Sequence, residues 1–335
     1  MRRLVPALLL VLGLVAGCQP ARRAERLVWP PPPERARFEY IGGFASPYDL
    51  KPPDNAVGRM LVERDVQDHL VAPFGLAETS SGELLVVDQL RALLYRIDLE
   101  ARTFTRIASQ PQLREPLDIT CDEDGNIYVA DSGRVLVFDR SGRPLRTIGK
   151  GVLDHPSYLT LDRSGDLYVS DSRLCRIFVF DAEGALLRSF GGRGTTGGRL
   201  YAPQGLALDG RGHLYVADFF NARVAVFTTG GEYLRQIGRR GDEPWNFAGP
   251  RDLAFDSDGY LHVLDSRKHA LMSFTADGQL LLVTGGGATS HPMGFGLPTA
   301  ILIDNRDRVF VSERYNSRVS IWQYLAERRK AQAGR

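Results

Sequence analysis

From residue 73 to residue 322 the chain consists of short, mostly apolar runs separated by turn residues. The clearest unit, Pro203 to Gly238, contains the runs GLALD, LYVAD, RVAVF and LRQIG, with Gly, Asp, Thr or Asn in the turns between them. Tight turns of such residues between alternating apolar and polar positions are typical of β-hairpins. No stretch between Pro73 and Trp322 keeps a helical period. The pattern therefore predicts an all-β domain.

Six copies of this four-strand unit follow one another along the chain. They begin at Pro73, Pro116, Pro156, Pro203, Pro250 and Pro298. Four short strands in a period of about 45 residues are typical of a β-propeller blade, which buries its faces against its neighbours around an axis. We therefore predict a six-bladed β-propeller over residues 38–324.

The last copy has only three strands, and a matching fourth strand occurs near the other end of the chain. FEYIG, at Phe38–Gly42, has the pattern of LRTIG and LRQIG, the fourth strands of earlier copies. A ring left open there would expose an unpaired sheet edge. We predict that residues 38–42 become the outermost strand of the sixth blade and close the ring.

The repeated pieces P-x-G-x-A-x-D, G-x-L-Y-V-A-D, N-x-R-V-x-V-F and L-R-x-I-G resemble NHL repeats. The resemblance covers Pro73 to Trp322 and is strongest in the middle copies. It implies a six-bladed propeller, usually a platform that binds proteins, nucleic acids or glycans. Some relatives in the broader propeller group are enzymes.

The residues before the propeller predict export and anchoring. Arg2 and Arg3 precede an apolar stretch, Leu4–Val15, which is too short for a membrane span, so residues 1–17 are predicted to be a signal peptide. The sequence VAGC, ending at Cys18, resembles a bacterial lipobox, which implies lipidation of the Cys18 thiol and cleavage before it. The alternative is an ordinary secreted protein. Several acyl chains would anchor the protein durably in the cell envelope, and Gln19 in place of Asp favours the outer membrane.

Three further segments lie outside the repeats. Residues 18–37 include Pro30–Pro33, and a proline run favours an extended tether of up to roughly 60 Å or, alternatively, a ligand for an aromatic groove. Residues 45–72 form a long insertion that either caps the channel or contacts a partner. Residues 325–335 form a basic tail.

Charge is balanced overall but unevenly distributed. The chain has 42 Lys and Arg against 40 Asp and Glu, so no global field recruits nucleic acid, and RNA binding also conflicts with secretion. In a propeller, the loops between second and third strands share one face, here called the upper face, with the loops that join blades. Basic residues dominate these loops, whereas acidic residues dominate the turns of the opposite, lower face.

The upper face also carries the candidate binding residues. They are Phe219, Phe220, Asn221, Arg239, Arg240, Arg267, Lys268, Arg314, Tyr315 and Asn316. Arginine and aromatic side chains are enriched in interfaces. We predict a monomeric, non-enzymatic scaffold that binds a protein or an anionic polymer through this face. The alternative is that these loops only pack over the core.

Six acidic residues end the second strands, and a role repeated six times is architectural. They are Asp88, Asp131, Asp171, Asp218, Asp265 and Glu313. We expect them to accept hydrogen bonds from turns or to pair with the arginines that begin third strands, which are Arg134, Arg176, Arg223 and Arg318. Cys121 and Cys175 are expected to be buried free thiols.

An enzymatic alternative is a propeller lyase or hydrolase with a metal on the axis. Peptidylglycine amidating lyases are six-bladed propellers with related repeats that hold zinc with histidines near the axis. The equivalent positions here, directly after the blade-opening prolines, contain no histidine. They contain only Asp118 and Asp252, weak candidates for a structural cation. We therefore predict no cofactor, and the enzymatic alternative stays open.

Overall fold

The computed structural model describes residues 26–51, 68–291 and 293–325. Strands make up about half of these residues, and their single helix, α1 (Pro47–Leu50), is four residues long. Within the described ranges no helix has the length and apolar character to cross a membrane. The predicted signal peptide, Cys18 and residues 326–335 lie outside the described residues.

Six antiparallel sheets surround a central axis. Listed from the axis outwards, the first blade contains β3 (Pro73–Glu78), β4 (Leu84–Asp88), β5 (Leu93–Asp98) and β6 (Thr103–Ala108). The second blade contains β7 (Pro116–Cys121), β8 (Ile127–Asp131), β9 (Arg134–Phe138) and β10 (Pro144–Ile148). The third blade contains β11 (Pro156–Leu161), β12 (Leu167–Asp171), β13 (Arg176–Phe180) and β14 (Leu186–Gly191). The next two are β15 (Pro203–Leu208), β16 (His213–Asp218), β17 (Arg223–Thr228) and β18 (Tyr233–Ile237); and β19 (Pro250–Phe255), β20 (Leu261–Asp265), β21 (Ala270–Phe274) and β22 (Leu280–Gly285). The predicted all-β, six-bladed propeller is confirmed.

The sixth blade is assembled from both ends of the chain. It contains β23 (Pro298–Ile303), β24 (Arg308–Glu313), β25 (Arg318–Tyr324), β2 (Phe38–Phe44) and β1 (Val28–Trp29). β2 pairs antiparallel with β25, from Phe38 opposite Tyr324 to Phe44 opposite Val319. The predicted closure of the ring by the N-terminal strand is therefore confirmed.

The segment before β2 differs from the extended tether that the prolines predicted. Val28 and Trp29 pair with Glu39 and Phe38 and add a fifth strand to the blade. The Trp29 Nε1 atom also donates a hydrogen bond to the Val283 carbonyl at 2.8 Å. Because these contacts cover an otherwise open edge, this part of the chain belongs to the ring.

The core is divided into interfaces between blades. A separate cluster of buried apolar side chains fills each of the six interfaces, and a small seventh cluster lies on the axis. Between the fourth and fifth blades, for example, Val224, Val226, Leu261 and Val263 are at most 1% exposed. Each such side chain contributes about 1.5–3 kcal/mol on burial. The stability of the ring is thus shared among interfaces rather than held by one central core.

The six acidic residues that end second strands have the architectural role that we expected. All six are fully buried. Asp88 accepts hydrogen bonds from the backbone N–H of Val71 at 2.6 Å and of Arg91 at 3.1 Å. The carboxylate thereby ties the loop entering the blade to the loop between the second and third strands. Asp171 and Asp265 make the same two kinds of contact.

Three of the four expected arginine partners are confirmed. The pairs are Arg134 with Asp131 at 3.2 Å, Arg223 with Asp218 at 2.9 Å and Arg318 with Glu313 at 2.9 Å. The prediction is wrong for Arg176, which donates instead to the Ser189 hydroxyl at 3.2 Å. The reason is that the Asp171 oxygens already accept four backbone N–H bonds.

The insertion between β2 and β3 leaves the ring and returns to the same place. The Leu70 N–H donates to the Ala45 carbonyl at 2.7 Å, and Leu70 is fully buried. The Ser317 hydroxyl, on the upper loop of the sixth blade, donates to the Val71 carbonyl at 2.8 Å. The insertion therefore begins and ends at the upper face, and residues 52–67 lie outside the described part of the chain.

Candidate binding face and axial cavity

The two faces of the propeller differ in exposed apolar side chains. Among the described residues, every large exposed apolar side chain in a loop lies on the upper face; these are Leu90, Val152, Leu174, Tyr201, Phe220, Trp245, Leu297 and Tyr315. The remaining large exposed apolar side chains lie on the outermost strands. The loops of the upper face therefore expose more large apolar side chains than the turns of the lower face do.

A continuous stack of guanidinium groups and aromatic rings crosses the upper face from the axis to the rim. This arginine–aromatic row consists of Phe74, Arg251, Phe219, Arg267, Phe220, Tyr201 and Arg193. Near the axis, the Arg251 guanidinium lies 5.4 Å from the Phe74 ring centre and 5.5 Å from that of Phe219. Cations at this distance from ring faces are attracted by about 0.5–1 kcal/mol at exposed sites.

The outer half of the row continues the same stacking. The Arg267 guanidinium lies 4.9 Å from the Phe219 ring centre and 5.8 Å from that of Phe220. The rings of Phe220 and Tyr201 are 5.0 Å apart, and the Arg193 guanidinium lies 5.1 Å from the Tyr201 ring. The row therefore joins the first, fourth and fifth blades with their connecting loops.

The loop backbone also holds the side chains of the row in place. The N–H groups of Phe220 and Ala222 donate to the carbonyls of Tyr201 and Phe219. A Cβ atom at Gly249 would lie 2.9 Å from both the Phe219 ring and the Arg267 side chain. Only glycine at this position leaves room for the two side chains to pack together.

The structure brings several of the predicted binding residues together. Phe219, Phe220 and Arg267 belong to the row, and the exposed Arg240 donates to the Phe220 carbonyl. The Lys268 ammonium donates to the Glu243 carbonyl at 2.6 Å. Arg239 is exposed on the same connecting loop.

The two predicted asparagines have a structural position instead. The Asn221 side-chain amide donates to Asp218 at 2.7 Å, and the Asn316 amide donates to Glu313 at 2.6 Å. Each amide therefore satisfies a buried carboxylate beneath its loop. Arg314 and Tyr315 extend from the sixth blade, where Tyr315 is 78% exposed.

Four members of the row were not predicted from the sequence as binding residues: Phe74, Arg193, Tyr201 and Arg251. Their contacts join different blades, so no local motif marks them. The adjacent pair Phe219 and Phe220, placed in a loop where a polar pair would be expected, was the available signal.

An axial cavity of about 300 Å³ lies between the first strands. Its wall combines apolar side chains, such as Leu159 and Ile301, with the carboxylates of Asp118 and Asp252 from opposite blades. At the upper end, Phe74, Leu117 and Tyr158 form the axial cluster, and the Tyr158 hydroxyl donates to the Thr299 carbonyl at 2.5 Å. This cluster therefore separates the cavity from the arginine–aromatic row. Phe74 belongs to both the cluster and the row.

The two axial carboxylates each bridge to the next blade. Asp118 accepts the Leu159 N–H and Asp252 accepts the Ile301 N–H, both at 2.8 Å. Burial raises the pKa of Asp118 well above its usual range, and the charge of Asp252 raises it further. Burial also raises the pKa of Asp252, to about 7. The pair therefore favours a protonated state in the fold.

A glycine in the preceding blade makes room for each axial carboxylate. A Cβ atom at Gly75 would lie 2.7 Å from Asp118 Oδ1, and one at Gly205 would lie 2.2 Å from Asp252 Oδ1. The arrangement Gly75–Asp118 is thus repeated across the axis as Gly205–Asp252. This duplication indicates a packing role for the pair.

The two axial carboxylates are a sparse set of ligands for a metal ion. The described residues contain no group of three or more His, Cys, Asp or Glu side chains that could hold a metal ion. A hard divalent cation takes six or more oxygen ligands, whereas the two carboxylates already accept backbone N–H groups. Cys121, also on the cavity wall, is a free thiol, and burial raises its pKa to about 11.

Comparison with known protein families agrees with the six-bladed propeller fold. A family model described as a 6-bladed beta-propeller matches residues 201–284. A search of curated protein sequences finds no match. The fold and this match together define the protein as a six-bladed β-propeller.

Solved structures with the same fold include both enzymes and a complex. Virginiamycin B lyase from Staphylococcus aureus is 14% identical, with a TM-score of 0.57 covering 76% of this chain and 95% of the lyase. A gluconolactonase from Xanthomonas campestris is 16% identical, with a TM-score of 0.60 covering 76% and 86%. A chain of a nidogen/laminin complex is 20% identical, with a TM-score of 0.53 covering 63% and 79%. At these identities the similarity extends to the fold alone.

Proposed function

We propose that this protein is a non-enzymatic, NHL-type propeller, anchored in the bacterial envelope, whose upper face binds a protein partner. The arginine–aromatic row is the observation that carries the proposal. Interfaces are dominated by a few Trp, Tyr and Arg side chains set in a surface of neutral contacts. The exposed Phe220, Tyr201 and Tyr315 side chains are suited to that role.

A protein partner is favoured over an anionic polymer by the way the arginines are used. Arg251 and Arg267 stack on rings of the row, and Arg240 donates to a backbone carbonyl. These contacts present aromatic surface together with charge, rather than an open field of cations. A polymer held mainly by charge would depend steeply on salt, which separates the two partners experimentally.

The enzymatic alternative has weaker support. The fold is shared by enzymes and by a complex-forming protein, so it does not distinguish the two functions. The axial cavity is the natural place for chemistry in this ring, and its two carboxylates do not make a metal site. The upper face therefore carries the function that we propose.

Anchoring through a lipidated Cys18, in the outer membrane, is part of the proposal. Its support is the lipobox-like VAGC sequence followed by Gln19. The test is to fractionate cells that express the full chain or the Cys18→Ser variant. We expect the full chain in the outer-membrane fraction and the variant in the soluble fraction. Equal partitioning of the two proteins would refute the anchor.

The binding proposal is tested by capture of envelope proteins on purified full-length chain. The double variant Phe220→Ala/Tyr315→Ala removes exposed aromatic surface from the upper face. We expect it to weaken capture of a specific protein about tenfold or more, as loss of interface anchors does. The matched control, Asp124→Ala/Glu183→Ala, changes two exposed lower-face residues and should leave capture unchanged.

The same capture experiment shows whether the partner is an anionic polymer instead of a protein. Charge reversal at Arg239, Arg240, Arg267 and Lys268 should abolish capture of an anionic polymer, and capture of that polymer by the unaltered chain should fall steeply with added salt. Capture that survives loss of Phe220 and Tyr315 but not charge reversal would replace the protein partner by an anionic polymer. Capture that survives both changes would refute binding at the upper face.

A further inference from the structure

Three consecutive blades share one arrangement of side chains across their second, third and fourth strands. The arrangement is Tyr–Val–Arg, formed by Tyr128, Val137 and Arg146, by Tyr168, Val179 and Arg188, and by Tyr215, Val226 and Arg235. Each arginine lies 5.9 Å from the tyrosine ring centre. It also donates to a carbonyl in the lower turn of the next blade, at 2.6–2.8 Å. The arginine therefore fills the space between blades.

The fifth blade has different residues at all three positions. His262 pairs with Ser273, and Ser273 pairs with Leu282, in the register of the Tyr–Val–Arg arrangement. Leucine is shorter than arginine and has no donor to reach the neighbouring blade. In the first blade Arg96, from the third strand, makes the contact with the next lower turn. The space toward the sixth blade is thus left open.

The neighbouring sixth blade is also unusual at this place. Its third and fourth strands, β25 and β2, come from opposite ends of the chain, so no hairpin turn joins them. Phe38 begins β2, and Tyr324 ends β25. Both departures open the same space, a cavity of about 370 Å³ lined by Phe38, Tyr260, His262, Ser273, Leu282 and Tyr324 together with residues that precede β2. We call it the seam pocket.

A chain of hydrogen bonds ends in the seam pocket. Asp256 Oδ2 lies 2.8 Å from His262 Nε2, and His262 Nδ1 lies 2.8 Å from Ser273 Oγ. A carboxylate can only accept, so Nε2 carries the proton; in the neutral ring Nδ1 then accepts from the Ser273 hydroxyl. Ser273 Oγ keeps its lone pairs for another donor.

The aspartate–histidine contact itself belongs to the repeat. Asp122 and Asp162 occupy the position of Asp256 and accept hydrogen bonds from Tyr128 and Tyr168. The histidine ring is held by Phe38 and Tyr324, both 5.6 Å away between ring centres. What distinguishes the fifth blade is therefore the serine acceptor and the open space beside Leu282, which together point to a ligand.

We propose that the seam pocket binds a small, mostly apolar molecule that carries a hydroxyl or amide N–H group and donates it to Ser273 Oγ. Small-molecule sites have volumes of about 300–1,000 Å³, apolar and aromatic walls and a few placed polar groups. The seam pocket has aromatic and apolar walls with Ser273 and His262 among them, and its lining also includes the charged side chains of Glu34, Arg35 and Arg37. The proposal is independent of the partner at the upper face, since the pocket lies at the opposite end of β2.

The test compares two probes on the full-length chain by saturation-transfer difference NMR titration. 2-Naphthol has an apolar ring system and a hydroxyl donor, whereas 2-methoxynaphthalene has the ring system without the donor. We expect 2-naphthol to bind the unaltered protein about fivefold more tightly than 2-methoxynaphthalene, as expected for one hydrogen bond. In Ser273→Ala the two probes should bind equally.

A second variant fills the pocket with the Tyr, Val and Arg side chains that occupy the equivalent positions in the second, third and fourth blades. His262→Tyr/Ser273→Val/Leu282→Arg restores the arrangement of three other blades and should weaken 2-naphthol binding about tenfold or more. Leu282→Trp is an alternative filler should the triple variant fold poorly. The matched control is Val226→Ser in the fourth blade, where Arg235 still fills the space; binding should not change. Absence of 2-naphthol binding to the unaltered protein, or equal binding by folded filler variants, would overturn the proposal.

Discussion

Two groups of buried carboxylates, those that end second strands and those on the axis, differ in the number of hydrogen bonds that they accept. Asp171, at the end of a second strand, accepts four backbone N–H bonds. Asp252, on the axis, accepts two and faces Asp118 across the cavity. Hydrogen bonds to a carboxylate favour its charged form, whereas burial and a like charge oppose it. The same residue type therefore ties loops together through backbone N–H groups at one site, and has a raised pKa at the other.

The raised pKa of Asp252 predicts a dependence of stability on pH. Its folded pKa is about 7, whereas an unfolded aspartate has a pKa of about 3.9. The fold binds the proton more tightly, so this contribution is complete below about pH 4 and is lost as pH rises through about 7. We expect the melting temperature of the unaltered protein to decrease relative to that of Asp252→Asn as the pH rises from about 4 to about 7. Parallel melting curves for the two proteins would contradict the raised pKa, and Asp124→Asn serves as the exposed control.

At the level of single residues, the sequence could mark the repeated positions but not the contacts between blades. The carboxylates and three of their arginine partners follow from position in the repeat. Arg251 stacks on Phe74 and Phe219, which lie in other blades, so only the folded ring shows that contact. The His262 and Leu282 substitutions within the repeat were visible in the sequence, but their meaning depends on the register across three strands.

At the level of elements, the sixth blade is the critical part of the ring. β2 contributes the fully buried Phe38 and pairs with β25 along its whole length. Its sequence pattern matched other fourth strands, and closure could therefore be predicted. β1 could not, because its two residues stand next to prolines and are held by tertiary contacts, the pairing with β2 and the hydrogen bond of Trp29 to the fifth blade.

Deletion of Phe38–Gly42 tests the closure. It removes the strand that covers β25 and leaves the apolar cluster between the fifth and sixth blades incomplete. We expect the melting temperature to fall by about 10 °C or more, measured by circular dichroism. Deletion of residues 326–335, which lie beyond β25, is the control and should have no effect. An unchanged melting temperature without residues 38–42 would rule out this closure.

At the level of the whole molecule, the first described residues show where the N-terminal chain joins the ring. β2 runs from the lower to the upper side, and β1 pairs with its first residues. Arg26, the first described residue, pairs with Glu39 near the lower end of β2. Because β1 runs antiparallel to β2, the chain from Trp29 back to Leu27 lies beside Phe38 to Tyr40 on the outer edge of the sixth blade. An anchor at Cys18 would therefore attach to the ring through the outer edge of this blade.

Site-specific photo-crosslinking in intact cells tests the central claim, binding of a protein by the upper face, most directly. Benzoylphenylalanine would replace Phe220 or Tyr315 on the upper face, and Asp124 or Glu183 on the lower face. The account predicts that both upper positions yield an adduct with the same envelope protein, while the lower positions do not. Adducts from the lower positions alone, or no protein adduct from either upper position, would contradict it.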